Sequence, residues 1–181
     1  MEIQELISIA LKAGFYKAEV IDTDKICIDL GFRKYCEENL CGNYGRNYSC
    51  PPDCGTAYDM KGQIHRYENA LVLQSRWEID DVSNRENLRS VRLMHNNAML
   101  RIVRQLKNEG YEGVMAGASE CLLCDTCQKI KGGECLHPNE RYSCLSAYCV
   151  NVSSLAKTCS MDYTYKDGVL YFFGMYLFNI E

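Results

Sequence analysis

The 181-residue chain lacks any excess of positive charge: 20 Lys and Arg stand against 24 Asp and Glu, a formal net charge of -4. With a pI near 5.5 it offers no electrostatic footprint for nucleic acid or for an anionic membrane surface. Long hydrophobic runs are also missing. The most apolar stretch, VLYFFGMYLF at 169–178, is far shorter than the roughly 20 residues a spanning helix requires. The opening stretch MEIQELISIALKAGF carries Glu2 and Glu5 where a secretory signal carries positive charge, and its apolar residues are spaced like a helix face. These absences set the expectation of a cytoplasmic protein with no nucleic-acid and no membrane partner. Signatures of catalysis are wanting as well. There is no Ser-His-Asp order, no phosphate-binding glycine loop and no dinucleotide fingerprint, and AGAS at 116–119 signals nothing beyond a turn. His65 and His95 fall in or near helical segments, where a structural role is the simpler reading.

What the chain does have is 12 cysteines. Without an export signal, that content favours metal or redox chemistry over a disulfide framework. Cys27, alone in the apolar run KICIDL, reads as a small core residue. The telling stretch is CLLCDTCQKIKGGEC, with Cys121, Cys124 and Cys127 at C-x2-C-x2-C spacing and Cys135 after seven more residues. A tight C-x2-C-x2-C turn places three thiolates on three corners of a cubane cluster, and a more distant cysteine closes the fourth. Zinc more often uses two separated C-x2-C pairs facing one tetrahedral ion. The spacing therefore favours an iron–sulfur cluster over zinc. Gly132 and Gly133 let the chain turn back around the cluster and are candidates to donate backbone N–H groups to sulfide. His137, beside four cysteines, fits a supporting or surface position better than a ligand position.

A second group, CEENLCGNYGRNYSCPPDC, holds Cys36, Cys41, Cys50 and Cys54 at C-x4-C-x8-C-x3-C spacing in a segment rich in Gly and Pro. Pro51 and Pro52 fix the backbone just after Cys50. Three thiolates here would leave an open iron position, a catalytic arrangement; four would make a structural or electron-transfer site. Cys54 decides between them. Tyr44, Arg46 and Tyr48 either orient a ligand or pack the loop.

Hydrophobic periodicity predicts a helix over 3–13 and a long one over 83–110, started by a Ser83/Glu86 capping box and ended by Gly110. YKAEVID and KICIDL predict a short hairpin turning at Thr23 and Asp24. NALVLQS and GVMAGA predict buried strands, and MDYTY with VLYFFGMYLF predicts a hairpin turning at 166–168. The expected fold is α/β, with α+β as the alternative: a mixed sheet flanked by helices, carrying two cysteine-rich metal-binding loops at strand ends, in one metal-binding domain over 1–181.

At Cys36-x4-Cys41-x2-Tyr44-Gly45-x4-Cys50-Pro51-Pro52 and at Cys121-x2-Cys124-x2-Cys127-x7-Cys135-x-His137-Pro138, followed by Arg141-x-Ser143, the chain resembles a family of small microbial predicted metal-binding proteins. The resemblance covers most of the chain in the same order. It implies Cys36, Cys41 and Cys50 as ligands in the first motif and Cys121, Cys124, Cys127 and Cys135 in the second, and it implies no particular reaction. The chain departs from the family pattern at Leu136, where an Arg is expected, and at Cys144–Ala147, where a Met-Glu-Ala run is expected. Cys54, Cys144, Cys149 and Cys159 are additional to the pattern.

The combined expectation is an iron–sulfur protein with one or two clusters of the [4Fe-4S] type. Its role would be electron transfer or cluster-based small-molecule chemistry, with a redox partner protein or a small molecule as partner. The alternatives are a zinc-binding structural or interaction module and a thiol–disulfide protein.

Overall fold

The computed structural model of the chain describes residues 2–180. Ten regular elements, among short 3-10 turns, follow in the order α1 (Ile3–Lys12), β1 (Lys17–Asp22), α2 (Arg33–Glu37), α3 (Ala57–Ile64), β2 (Asn69–Glu78), α4 (Arg85–Asn108), β3 (Gly113–Gly117), β4 (Ser143–Cys144), α5 (Val152–Thr158) and β5 (Val169–Phe178). The five strands form one sheet in the order β1-β2-β5-β3-β4. Every pairing is antiparallel except β3 with β4, which is parallel. The sheet is therefore mixed and mostly antiparallel, which places the fold in the α+β class.

Strands β2 and β5 pair along their whole lengths, from Asn69↔Phe178 to Glu78↔Val169. Their side chains alternate between two cores. Leu71, Leu73, Tyr176 and Phe178 meet Leu6 and Ala10 of α1 and Met99, Ile102 and Leu106 of α4. Ala70, Val72, Phe173, Met175 and Leu177 meet Met60 and Ile64 of α3 and Leu155 and Ala156 of α5. Because both faces are covered, β5 reads as an unbroken apolar run and not as an alternating one. Gly174 lets α4 come close: a Cβ there would collide with the Met99 side chain and the Ala116 carbonyl.

Several local expectations change. KICIDL does not form a hairpin with YKAEVID. The chain leaves β1 through a 3-10 turn at Thr23–Lys25, and β1 pairs with β2 from Lys17↔Gln74 to Asp22↔Asn69, where the long central strand offers a complete row of partners. KICIDL keeps a single bridge, Ile28↔Val150, and Cys27 is exposed instead of buried. MDYTY is loop. Only Lys166 and Val169 pair across a tight turn in which Asp167 and Gly168 both have positive φ. The long helix is capped one residue later than predicted. The Asn84 side chain accepts from the Glu86 and Asn87 N–H groups, while the Ser83 hydroxyl donates to Asp81. No helix among the described residues is long and apolar enough to cross a membrane.

For the cysteines the important feature is the parallel β3–β4 pair, Ala116↔Ser143 and Gly117↔Cys144. Parallel neighbours end on the same edge of the sheet. The chain after Gly117 leads into the second cysteine motif, so the start of that motif emerges beside Cys144.

Candidate metal centres

Cys36, Cys41 and Cys50 line one cavity of about 290 Å³ together with Tyr35, Leu40, Tyr44, Arg92, Ala118, Glu120 and Cys144. Helix α2 supplies Cys36, the turn after it supplies Cys41, and Cys50 is held at the end of the Asn47–Ser49 turn by its N–H donating to the Asn47 carbonyl at 2.9 Å. Cys54 does not line this cavity. It packs partly buried against the core, 4.0 Å from Arg33 Nη1 and 3.8 Å from the Gly55 carbonyl oxygen. Cys144, which no motif spacing selects, does line it. The only signal for it in the sequence was its standing outside the family pattern.

Cys121, Cys124, Cys127 and Cys135 line a second cavity with Asn47, Tyr48, His137 and Arg141. At about 20 Å³ it has room for roughly one water, so a cluster enters only if the loop opens. His137 is half-buried at its wall. Gly132, at φ +69, makes the expected turn, but the glycine N–H groups are not free for sulfide. Gly132 donates to the Lys129 carbonyl at 3.1 Å and Gly133 to the Gln128 carbonyl at 3.0 Å.

The two motifs are fastened to each other. The Cys121 N–H donates to Ser49 Oγ at 2.9 Å, and Asn47 Nδ2 donates to the Cys121 carbonyl at 3.2 Å. Asn47 Oδ1 accepts from both the Ser49 N–H at 3.0 Å and the Ser49 hydroxyl at 2.9 Å, while Ser49 Oγ lies 3.8 Å from Cys50 Sγ. Tyr48 donates to the Gly133 carbonyl at 2.8 Å, and Lys129 pairs with Asp53. Of the two readings for Tyr48 this is the packing one: its ring ties loop to loop between Lys129 and Arg141. Arg46 is exposed and does not line either cavity.

Burial pushes the Cys36, Cys50, Cys121 and Cys124 thiols up, and Cys144 to about 12. At Cys36 the Arg33 guanidinium opposes the rise. Neutral thiols in these positions mean that taking up a metal expels protons, so metal binding weakens as pH falls. Arg33 itself is buried. It donates to the Ala147 carbonyl at 2.9 Å and has an unpartnered Nε, which leaves the thiols of Cys36, Cys54 and Cys149 as its electrostatic neighbours.

Among the described residues no group of three or more His, Cys, Asp or Glu side chains converges on one point as a metal ion would need. The donor chemistry nevertheless fits thiophilic metal. Each cavity is walled by four thiols, and a cysteine side chain needs rotation about only one bond to turn inward. Comparison with known proteins finds that the family described as predicted metal-binding protein (DUF2284) matches residues 19–178. No curated protein and no solved structure matches the chain.

Proposed function

Since the chain belongs to the family of predicted metal-binding proteins (DUF2284), we propose that it is an electron-transfer protein whose two cysteine cavities each hold an iron–sulfur cluster of the [4Fe-4S] type. One observation carries the electron-transfer part: consecutive residues line the two cavities, and one serine side chain contacts both motifs. Glu120 lines the first and Cys121 the second, and the Ser49 hydroxyl touches both Cys50 Sγ and the Cys121 N–H. Bound clusters would each accept and release an electron. The chain's part is to fix their separation through the Asn47–Ser49 clamp, to screen them from water, and to present a route to a partner. Exposed apolar side chains border each cavity, Tyr35 and Leu40 at the first and Leu136 at the second, and suit docking of a redox partner protein. The C-x2-C-x2-C spacing of Cys121, Cys124 and Cys127 supports iron–sulfur over zinc.

Anaerobic purification followed by iron and acid-labile sulfide analysis tests the metal. Electron paramagnetic resonance of the reduced protein tests the arrangement. Two adjacent reduced clusters broaden one another's signals, and Cys124→Ser is expected to remove one signal and sharpen the other. Colourless protein with stoichiometric zinc overturns the proposal and leaves the zinc module as the better reading, and two signals that ignore each other overturn the coupled arrangement on which electron transfer between the clusters rests.

A further inference from the structure

The first motif supplies three thiols to its cavity, and the cysteine that the spacing suggests for a fourth faces elsewhere. Cys54 lies against Arg33 and the core. The fourth thiol on the cavity wall arrives from the far side of the chain, on edge strand β4. We propose that Cys144 is the fourth ligand of the first centre, which is thereby closed as Cys36–Cys41–Cys50–Cys144. This rests on the metal-binding reading above but not on which metal is bound.

Three observations converge on it. Cys144 is fixed by its pairing with Gly117 in the parallel β3–β4 ladder, so its position is set by the sheet and not by a mobile loop. The chain turns immediately after it, its carbonyl accepting from the Ala147 N–H at 2.9 Å, and the Ser146 carbonyl in that turn lies 4.0 Å from Cys36 Sγ. The Cys36 thiol thus sits against the same turn that Cys144 opens. Thiolate is also the donor that soft iron–sulfur and zinc centres select over carboxylate, which ranks Cys144 above Glu120, the carboxylate that lines the same cavity. Arg92 on the cavity wall gives a positive neighbour to the negative charge that four thiolates bring.

Closing the centre with a fourth thiolate removes the open coordination position that three cysteines would leave. With an iron–sulfur cluster bound, a centre so closed would suit electron exchange and not substrate binding.

The test compares wild type with Cys144→Ser, Cys54→Ser, Glu120→Gln and Cys50→Ser. Each is reconstituted anaerobically with iron and sulfide and separately loaded with cobalt(II), whose thiolate charge-transfer absorbance counts sulfur ligands. Cys144→Ser is expected to lose about half of the bound iron, as Cys50→Ser does, and to shift the cobalt bands of the first centre toward a three-sulfur site. Cys54→Ser and Glu120→Gln are expected to match wild type. Far-UV circular dichroism checks folding. Should Cys144→Ser fail to fold, the cobalt spectrum of wild type beside Cys54→Ser decides: eight sulfur ligands in both support the inference, and seven in wild type overturn it. Full iron and an unchanged cobalt spectrum in Cys144→Ser, with loss in Cys50→Ser, overturn it while leaving the proposed function standing. Zinc in place of iron, with one equivalent lost in Cys144→Ser, does the reverse. Metal held at the second motif alone in wild type overturns both.

Discussion

Asn47→Ala strikes the clamp between the two motifs at a buried residue that bonds to both of them. Asn47 is 7% exposed and makes three side-chain hydrogen bonds, accepting from the Ser49 N–H and hydroxyl and donating to the Cys121 carbonyl. Truncation strands the Ser49 N–H, which is fully buried, and the Cys121 carbonyl, which is half-buried and open to partial rehydration. A buried polar group left without a partner costs about 1–3 kcal/mol. One full and one partial loss, plus a small cavity, give an expected destabilisation of about 2–4 kcal/mol, a large share of the roughly 5–15 kcal/mol that holds a domain together. Urea unfolding at fixed metal loading measures it as a lower midpoint with an unchanged slope. Ser49→Ala removes the acceptor of the Cys121 N–H from the same network, so the double variant is expected to cost less than the two single variants added together. A midpoint shift worth less than about 0.5 kcal/mol for Asn47→Ala, or strict additivity with Ser49→Ala, refutes the clamp.

Burial holds His95 down at about 3, and its Nδ1 is hydrogen-bonded at 2.7 Å to the hydroxyl of Ser75, whose oxygen accepts from the Trp77 N–H. The unfolded chain takes up a proton near pH 6.5 that the native fold refuses, so stability is expected to drop by about 1.4 kcal/mol per pH unit below 6.5. Urea midpoints at pH 7 and pH 5 should show this drop in wild type and less of it in His95→Gln. Gly174→Ala forces a methyl group against Met99 and the Ala116 carbonyl and is expected to cost about 1–3 kcal/mol in thermal unfolding, with partial recovery in Gly174→Ala/Met99→Ala. Chelation is expected to expose the segments 36–54 and 121–135, which hold little α-helix and no strand, to protease before α4 is cut; mass mapping of early fragments checks the order, and simultaneous cleavage throughout contradicts it.

Features that close over short stretches of chain were legible in the order of the amino acids alone. A C-x2-C-x2-C turn brings its thiols to one cavity because a few residues cannot carry them apart, and the spacing selected Cys121, Cys124, Cys127 and Cys135, which share one. Helix α4 and strand β5 were legible for the same reason, since a period of 3.6 or a dense apolar run reports local geometry directly. Pairings between distant segments were not. KICIDL alternates well enough for a strand, yet β1 takes β2 as its partner along its whole length, from Lys17↔Gln74 to Asp22↔Asn69, and KICIDL keeps one bridge, Ile28↔Val150. Cys54 and Cys144 make the same point at the first centre. Cys54 is four residues from Cys50 along the chain and points toward Arg33. Cys144 is separated from Cys50 by two α-helices and two strands and reaches the cavity because β4 lies parallel to β3 at the edge where the second motif begins. Which cysteines belong to a motif is a matter of chain spacing; which thiols share a cavity depends on how the sheet is assembled, when the long-range backbone hydrogen bonds and the two cores form together.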